Sequence, residues 1–352
     1  MVGWPDQSFL ELVGCEHPIV QAPMAGAGGV DLCVAASKGG ALASLPCALL
    51  SPEEVRAQIG AVRNRARGPL NLNFFCHKMP GQVDESAWRA LLQPYYDEYG
   101  VSAGDGGALR LPFDEQMCTL VEEARPRVVS FHFGLPEVSL LKRVKASGAV
   151  VIGNATSLEE ARWLEQRGVD AIIAQGFEAG GHTGRFLGSD PAEALGLFAL
   201  VPQIVDAVSL PVIAAGGIAD GRAIAAAFIL GASAVQLGTA YLHAPEAAIS
   251  DVHRAKLSEG RTLFTNLLTG GLARGVHGRL IDVLGAVRPE PPPYPLASAA
   301  LAPIRAAAQK RGEFGFGPMW AGQASPLGKR LPAAELTRKL AADALALLGA
   351  NA

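Results

Sequence analysis

Residues 149–184 read AVVIGNATSLEEARWLEQRGVDAIIAQGFEAGGHTG, and this one stretch carries a strand, a helix, a second strand and a loop. Ala149–Asn154 and Ala171–Gln175 are short, nearly continuous apolar runs, the pattern of strands buried on both faces. Between them, Ser157–Arg167 has helical periodicity. Thr156-Ser157 puts a hydroxyl at its N-cap, and Glu159 and Glu160 follow in the first turn, where the helix dipole favours negative charge. Gly168 stands where the helix must stop before the next strand. Strand, crossover helix and parallel strand form the basic unit of an α/β fold.

Outward from this stretch the unit recurs. Pro18–Pro23, Ala41–Leu45, Leu70–Phe75, Val128–Phe133, Val212–Ala215 and Ala234–Leu237 bring the strands to eight. Ser51–Ala66, Glu137–Ala146 and Ala223–Leu230 supply further helices, and Ser51-Pro52-Glu53-Glu54 repeats the hydroxyl cap with proline at the first helical position. Gly231 marks another helix end. The pattern predicts an α/β fold: a (β/α)8 TIM barrel over residues 1–243, with an open doubly wound sheet as the alternative. Two regions break the rhythm. Residues 77–113, with Tyr95, Tyr96, Tyr99 and a glycine-rich turn at Gly104–Gly107, read as an inserted loop that forms a lid or substrate wall. Residues 244–352 read as an appended C-terminal helical subdomain, with rigid Pro289–Pro295, a helix near Leu296–Gln309 and a last helix at Ala333–Leu348 packed on the barrel.

Composition sets the class. Of 352 residues, 49% are hydrophobic and 18% charged, enough to fill a large core and too apolar for disorder. The net charge of −3, without a basic run carrying aromatics, argues against a nucleic-acid partner. No apolar stretch of about 18 residues runs unbroken and residues 1–17 lack a signal pattern, so a soluble cytoplasmic protein with no membrane partner is expected. The five cysteines form an odd set with no CxxC pair, which predicts free thiols in a reducing compartment and no metal site. Cys76 and His77 are neighbours on an extended segment and point to opposite faces, which suits a shared proton poorly.

Three glycine motifs follow strands. In the loop Gln175–Gly184, consecutive glycines let backbone N–H groups approach an anion and hold His182 beside the ligand. Ala214-Ala215-Gly216-Gly217-Ile218 and Gln236-Leu237-Gly238-Thr239 end successive strands, matching a barrel phosphate site built from the last two loops. No GxxxxGK[ST] is present, nor a GxGxxG after a strand with an acidic residue about 20 positions on. A nucleoside-triphosphate P-loop and a dinucleotide fold are therefore unsupported.

Together with Val20-Gln21-Ala22-Pro23-Met24-Ala25-Gly26 and Asn71-Leu72-Asn73-Phe74-Phe75, these motifs resemble the nitronate monooxygenase family, formerly called 2-nitropropane dioxygenases. Phe264-Thr265, Ala273-Arg274-Gly275 and Trp320-Ala321-Gly322-Gln323 extend the resemblance over about 18–345. NLNFFCH and Phe131–Pro136 are similar to the class I branch. The resemblance implies an FMN-dependent barrel that oxidises alkyl nitronates, typically propionate 3-nitronate, with O2. A flavin semiquinone and products of carbonyl compound and nitrite or nitrate are implied, without NAD(P)H. It implies that Ala22, Pro23 and Met24 pass beside the isoalloxazine ring, that Asn71 or Asn73 bonds its polar edge, and that Gln175 touches it. Gly180, Gly181, Gly216, Gly217, Gln236, Leu237, Gly238 and Thr239 would cradle the phosphate.

His182 resembles the family's catalytic histidine, and His132 and Tyr294 are the implied substrate contacts. His182 would hold the nitro group if protonated, or remove the α-proton of a neutral nitroalkane if not. The chain departs where tyrosines and a lysine are expected. It offers Tyr294 and Lys310, while Ala297–Ala300 is small and apolar. The implied partners are a small nitronate and O2, and the implied state is a monomer or homodimer. Two competing readings are an NAD(P)H-dependent FMN reductase of the same superfamily, acting on quinones or enoyl thioesters, and a flavin- or phosphate-ligand-binding protein without turnover. A titratable His182 argues against the last.

Overall fold

The computed structural model describes residues 3–103, 109–188 and 191–349. Its strands in chain order are β1 (Ile19–Gln21), β2 (Ala43–Pro46), β3 (Leu70–Phe75), β4 (Val128–His132), β5 (Val150–Ala155), β6 (Ala171–Gln175), β7 (Gly181–His182), β8 (Val212–Ala215), β9 (Ala234–Leu237), β10 (Thr262–Thr265) and β11 (Ala273–Val276). Eight of them run parallel in the order β1-β9-β8-β6-β5-β4-β3-β2. A bridge between Val20 and Leu42 closes the ring between β1 and β2. There the Gln21 N–H donates to the Leu42 carbonyl (3.0 Å) and the Leu42 N–H to the Ile19 carbonyl (2.9 Å). The expected TIM barrel is present. Nearly every residue of these strands is buried, which is why they read as unbroken apolar runs.

Local signals fix the helices. At helix Pro52–Arg65 the Ser51 hydroxyl accepts from the Glu54 N–H (3.2 Å), and the Glu54 carboxylate accepts from the Ser51 N–H (2.7 Å), a complete capping box. Ser157 caps helix Leu158–Gln166 through the Glu160 N–H (3.2 Å). The Glu160 side chain does more than answer the dipole. It is buried and accepts from Thr156 N–H and Oγ1, and from the N–H groups of Phe186 and Leu187 (2.5 and 3.0 Å). It thereby ties the end of the glycine loop to the barrel.

The inserted segment carries a helix, Ser86–Tyr99, which its cluster of aromatics concealed. Trp88, Leu92, Tyr95, Tyr96 and Tyr99 all lie on its buried face, in one apolar cluster with Ala297, Ala300, Leu301 and Ile304 of helix Ala297–Lys310. Trp88 Nε1 donates to the Ala297 carbonyl (3.3 Å) and the Tyr96 hydroxyl to that of Ala300 (2.7 Å). The small stretch Ala297–Ala300 is thus a packing surface for rings, since small side chains let them reach the helix backbone. The turn at Gly104–Gly107 lies outside the described residues.

The tail contributes strands as well as helices. β10 and β11 form an antiparallel sheet with β7, so the loop after β6 is paired to chain nearly a hundred residues later. The last helix, Ala333–Gly349, packs against Gly221–Ile229 and Val30–Lys38, in the gap of the helical ring between the helices that follow β8 and β1. Glycines make that contact close. A Cβ on Gly221 would lie 2.6 Å from Asp343 Cβ and 2.8 Å from Ala344 N, and one on Gly39 would lie 2.7 Å from Thr337 Cβ. Among the described residues, no helix is long and apolar enough to cross a membrane.

Gly221→Ala should therefore push the last helix off the wall and cost about 1–3 kcal/mol, the usual range for overpacking. Gly60→Ala, inside helix Pro52–Arg65 with nothing within 4 Å of the added Cβ, should instead stabilise by about 0.5–1 kcal/mol. Urea midpoints that move in opposite directions in the two variants are the expected result; a shared direction would deny the close helix contact.

Candidate active site

The C-terminal ends of the barrel strands open into a cavity of about 500 Å³. Ala22–Met24 line it after β1, Asn73 and Phe75 from β3, His132 from β4, Asn154 from β5, Gln175 from β6, Ala215–Gly217 after β8, and Gln236, Gly238 and Thr239 at and beyond β9. Gly180, Gly181 and His182 descend onto it from the loop, and Arg110, Arg305 and Trp320 come from the inserted segment and the tail. This is the face of a barrel on which loops assemble active sites.

The loop is held from several sides. β7 pairs with β11 in the register His182–Ala273 and Gly181–Arg274. Arg274 is buried; its Nε and Nη2 donate to the Phe177 carbonyl (3.1 and 3.0 Å), and its guanidinium stacks over Phe177 and Phe264 (4.6 and 4.1 Å to the ring centroids). Gly180 has no room for a side chain, because a Cβ would stand 2.5 Å from Gly322 N. Gly181 has φ +79°, the left-handed region that glycine enters freely. Gln175 holds the loop from the barrel side. Its Nε2 donates to the His182 carbonyl (3.0 Å), while its Oε1 accepts from Asn154 Nδ2 (3.1 Å) and the Gly184 N–H (2.7 Å).

His182 Nε2 lies 2.8 Å from Thr269 Oγ1, and its ring meets Tyr294 (5.0 Å), Trp320 (5.3 Å) and Phe133 (6.2 Å) edge to face. Burial holds its pKa well below the ordinary imidazole value, and the charge of Arg110 pushes the same way, as any proton on His132 or His77 would. Burial lowers His132 to about 4, against a raising hydrogen bond to the His182 backbone, and it lowers His77 as well. The three rings are neutral at pH 7, so His182 is set up as a proton acceptor rather than a cation. Phe133 sits among them with φ +66°, a conformation that costs a non-glycine residue about 1–3 kcal/mol and clusters at functional sites.

The cavity brings together most of the residues singled out in the sequence: Ala22, Pro23, Met24, Asn73, His132, Gln175, Gly180, Gly181, His182, Gly216, Gly217, Gln236, Gly238 and Thr239. Asn71, Leu237 and Tyr294 are not on its lining. Asn71 lies deeper in the barrel, where its Nδ2 donates to Ser44 Oγ (3.0 Å) and Ser130 Oγ (2.9 Å), and Leu237 is packed in the core. Of the Asn71/Asn73 pair, Asn73 faces the cavity. Tyr294 packs against His182, which lines the cavity, and against His77, with a buried hydroxyl that has no partner among the described residues. Lys310 is exposed at a helix end and does not line the cavity. Sequence reading missed Arg110, Arg305, Thr269 and Trp320. Arg110 lay in a segment expected to form a wall, Arg305 on an expected helix and Trp320 in a motif of the family resemblance, but none of these signals pointed to the cavity.

Comparison with known proteins agrees with this geometry. The sequence profile of the family described as nitronate monooxygenase matches residues 7–343. A nitronate monooxygenase of Paraburkholderia phytofirmans is 42% identical, covering 95% of this chain and 94% of its own. One from Pseudomonas aeruginosa is 41% identical over 94% of this chain and 97% of its own. Among solved structures, nitroalkane oxidase from Streptomyces ansochromogenes superposes with a TM-score of 0.91 at 33% identity, over 98% of this chain and all of that one. FabK from Thermotoga maritima superposes with a TM-score of 0.75 at 26% identity, over 97% of each.

Neutral buried histidines make stability depend on pH. His17, His77, His132, His182, His243 and His253 all have native pKa values lowered chiefly by burial, from an unfolded value near 6.5. Below that value the unfolded chain binds protons that the folded one refuses, so stability is lost as pH falls from 6.5 toward the native values. Thermal melts should show a constant midpoint between pH 7 and 8 and a progressive fall from about 6.5 to 5. A midpoint that rises on acidification would mean the histidines are charged in the fold.

Proposed function

The chain belongs to the nitronate monooxygenase family, and from that premise we propose that its cavity holds FMN and oxidises a small alkyl nitronate with O2. It is a flavin-dependent oxidoreductase acting on nitronates. The observation that carries the finer reading is a neutral, buried His182 set over a cavity rimmed by glycine strand ends.

The lining fits a flavin. Gln236 Oε1 is buried in the wall without a partner among the described residues, an acceptor left for an N–H such as the isoalloxazine edge presents. Gly216 (φ +113°) and Gly217 (φ +67°) turn backbone toward the cavity, and a Cβ on Gly238 would fall 3.6 Å from Ala22 Cβ and 3.7 Å from Met24 Sδ. These residues with Thr239 would hold the phosphate, and Asn73 and the Ala22–Met24 backbone would hold the ring. A single phosphate cradle with no second nucleotide fingerprint favours FMN over FAD.

When bound, FMN supplies the redox chemistry, taking electrons from the nitronate and passing them to O2. The protein binds and orients the nitronate, excludes water and moves a proton. In the tautomer whose Nε2–H donates to Thr269 Oγ1, Nδ1 would be left to take the α-proton when the substrate arrives as a neutral nitroalkane. His132 is held against the loop backbone beside it and would face the substrate from the cavity wall, while Tyr294 backs the His182 ring. A nitronate that is already ionised needs no such base. High identity to nitronate monooxygenases over the whole chain supports this reading over a reductase fed by NAD(P)H.

Acid release of the cofactor from purified protein should give the mass of FMN; an FAD mass would remove the single-cradle reading. Anaerobic addition of propionate 3-nitronate should bleach the flavin spectrum while NADH leaves it unchanged, and bleaching by NADH alone would favour the reductase. His182→Asn should retain its flavin and lose about 10²–10⁴-fold of its turnover of neutral nitroalkanes, the range for general base catalysis, and much less on preformed nitronates. Near-wild-type rates on both forms would strip His182 of this role.

A further inference from the structure

A neutral imidazole shares one proton between two ring nitrogens, and the nitrogen that holds it decides what the ring can do. With the proton on Nε2, Nδ1 of His182 has a free lone pair and can accept. With the proton on Nδ1, the same atom can only donate. Burial and the charge of Arg110 keep His182 neutral, but neither chooses between its nitrogens. The choice falls to the group that bonds the ring, which is Thr269 Oγ1, 2.8 Å from Nε2.

Thr269 lies in the turn between β10 and β11, and that turn is fixed on both sides. Asn266 Nδ2 donates to the Arg288 carbonyl (2.6 Å), Asn266 Oδ1 accepts the Arg288 N–H (3.0 Å), and the Asn266 carbonyl accepts the Gly270 N–H (2.8 Å). Gly270 has φ +85°, and a Cβ there would lie 2.0 Å from the Pro292 carbonyl oxygen, so the turn rests directly on the chain before Tyr294. At its far end the Leu272 carbonyl accepts the N–H of Thr183, one residue past the histidine (3.1 Å). One short stretch thus holds both the backbone beside His182 and the ring itself. Thr269 is 1% exposed, which shields its hydroxyl from water.

A threonine hydroxyl has one proton to give and two lone pairs. Besides His182 Nε2, Thr269 Oγ1 meets the Gly271 carbonyl and the Gly271 N–H, each at a long 3.4 Å. The carbonyl can only accept, so it takes the hydroxyl proton. The N–H can only donate, so it takes one lone pair. The other lone pair is left for the imidazole, and only an Nε2–H can use it. Turned the other way, with the hydroxyl donating to Nε2, the Gly271 carbonyl would lose this donor. Three contacts are satisfied in the first arrangement and two in the second.

We propose that Thr269 is a positioning residue of the site: its hydroxyl accepts from His182 Nε2–H, fixes that tautomer and leaves Nδ1 as the base for the α-proton of a neutral nitroalkane. The assignment rests on the nitronate reading above. When Nδ1 takes the proton, the C–H bonding pair stays on the substrate as its nitronate, and the imidazolium keeps its Nε2–H on Thr269. That bond is then charge-assisted and stronger than in the resting site, so it favours the transfer.

The test joins a spectrum to kinetics on the flavin-loaded protein. In protein labelled with nitrogen-15 histidine, at neutral pH, the His182 signals are those lost in His182→Asn. They should show Nε2 protonated and Nδ1 bare, and the Nε2 signal should move in Thr269→Val, which keeps the shape and removes the acceptor. Thr269→Val should also lower kcat on neutral nitroethane about 10- to 100-fold with little change in KM, the range for losing a hydrogen bond to a charged group. The loss on preformed ethyl nitronate should be much smaller, and Thr269→Ser, which keeps the hydroxyl, should recover most of the rate. A wild-type ring protonated on Nδ1, or divided evenly between the two forms, would overturn the proposal. Equal losses on nitroethane and its nitronate, or a serine variant no better than the valine one, would do the same. If Thr269→Val folds poorly, the wild-type spectrum and Thr269→Ser still decide. A protonated Nε2 that responds to Thr269→Val, in a protein that oxidises neither substrate, would sink the nitronate reading and uphold the tautomer assignment.

Discussion

The two-residue pairing of Gly181 and His182 with Arg274 and Ala273 is the constraint on which the site depends. A glycine-rich loop has high entropy when free and no side chains with which to pack. It is set here by a strand from the tail, by the buried Arg274 bonded to the Phe177 carbonyl, and by Gln175 and Glu160, which bond the backbone at the histidine and just beyond it. Only the barrel could supply Gln175, and only the tail could supply Arg274. The imidazole is positioned because two distant parts of the chain meet around it.

That arrangement separates the proton-accepting role from the charge-bearing one. His182 is kept neutral by burial and by nearby positive charge, so it cannot also serve as a cation. Positive charge is supplied by arginine, which stays ionised under conditions that strip imidazole of its proton. Burial is the main brake on the basicity of His182 and the charge of Arg110 adds to it, so an anion beside Arg110 would lift only the second part. Binding and basicity are coupled through one field.

Much of this was legible in the sequence, for reasons that can be named. Strands buried on both faces leave unbroken apolar runs, and β3, β6, β8 and β9 fall on the expected residues. Side chains at the C-terminal ends of barrel strands are constrained by the barrel, so His132, Gln175 and Gln236 could be placed without coordinates. The period-two geometry that put Asn71 and Asn73 on one face could not say which reached the rim. Depth along the strand decides it: Asn71 is bonded below by Ser44 and Ser130, while Asn73, also bonded to Ser130, reaches the lining. Helix Ser86–Tyr99 was hidden because its buried face is made of rings, which also suit a substrate wall. Arg110, Thr269 and Trp320 lie outside the regular elements, so no period gives their direction, and the helix that carries Arg305 has a period but no barrel strand to say where it docks.

The place of helix Ala333–Gly349 in the wall has a consequence in time. The eighth barrel strand ends at Leu237, yet the helix that fills the gap beside it begins 96 residues later, at Ala333. At the usual pace of about 5–20 residues per second, a nascent chain waits roughly 5–20 s between making that strand and making its cover. During that interval the outer faces of Val30–Lys38 and Gly221–Ile229 have nothing of their own chain to cover them. The intervening residues, which bring Arg274 and Trp320 to the site, are synthesised in the same window. The ring and the active site are therefore finished by the same last stretch of chain, and a product released before it has neither.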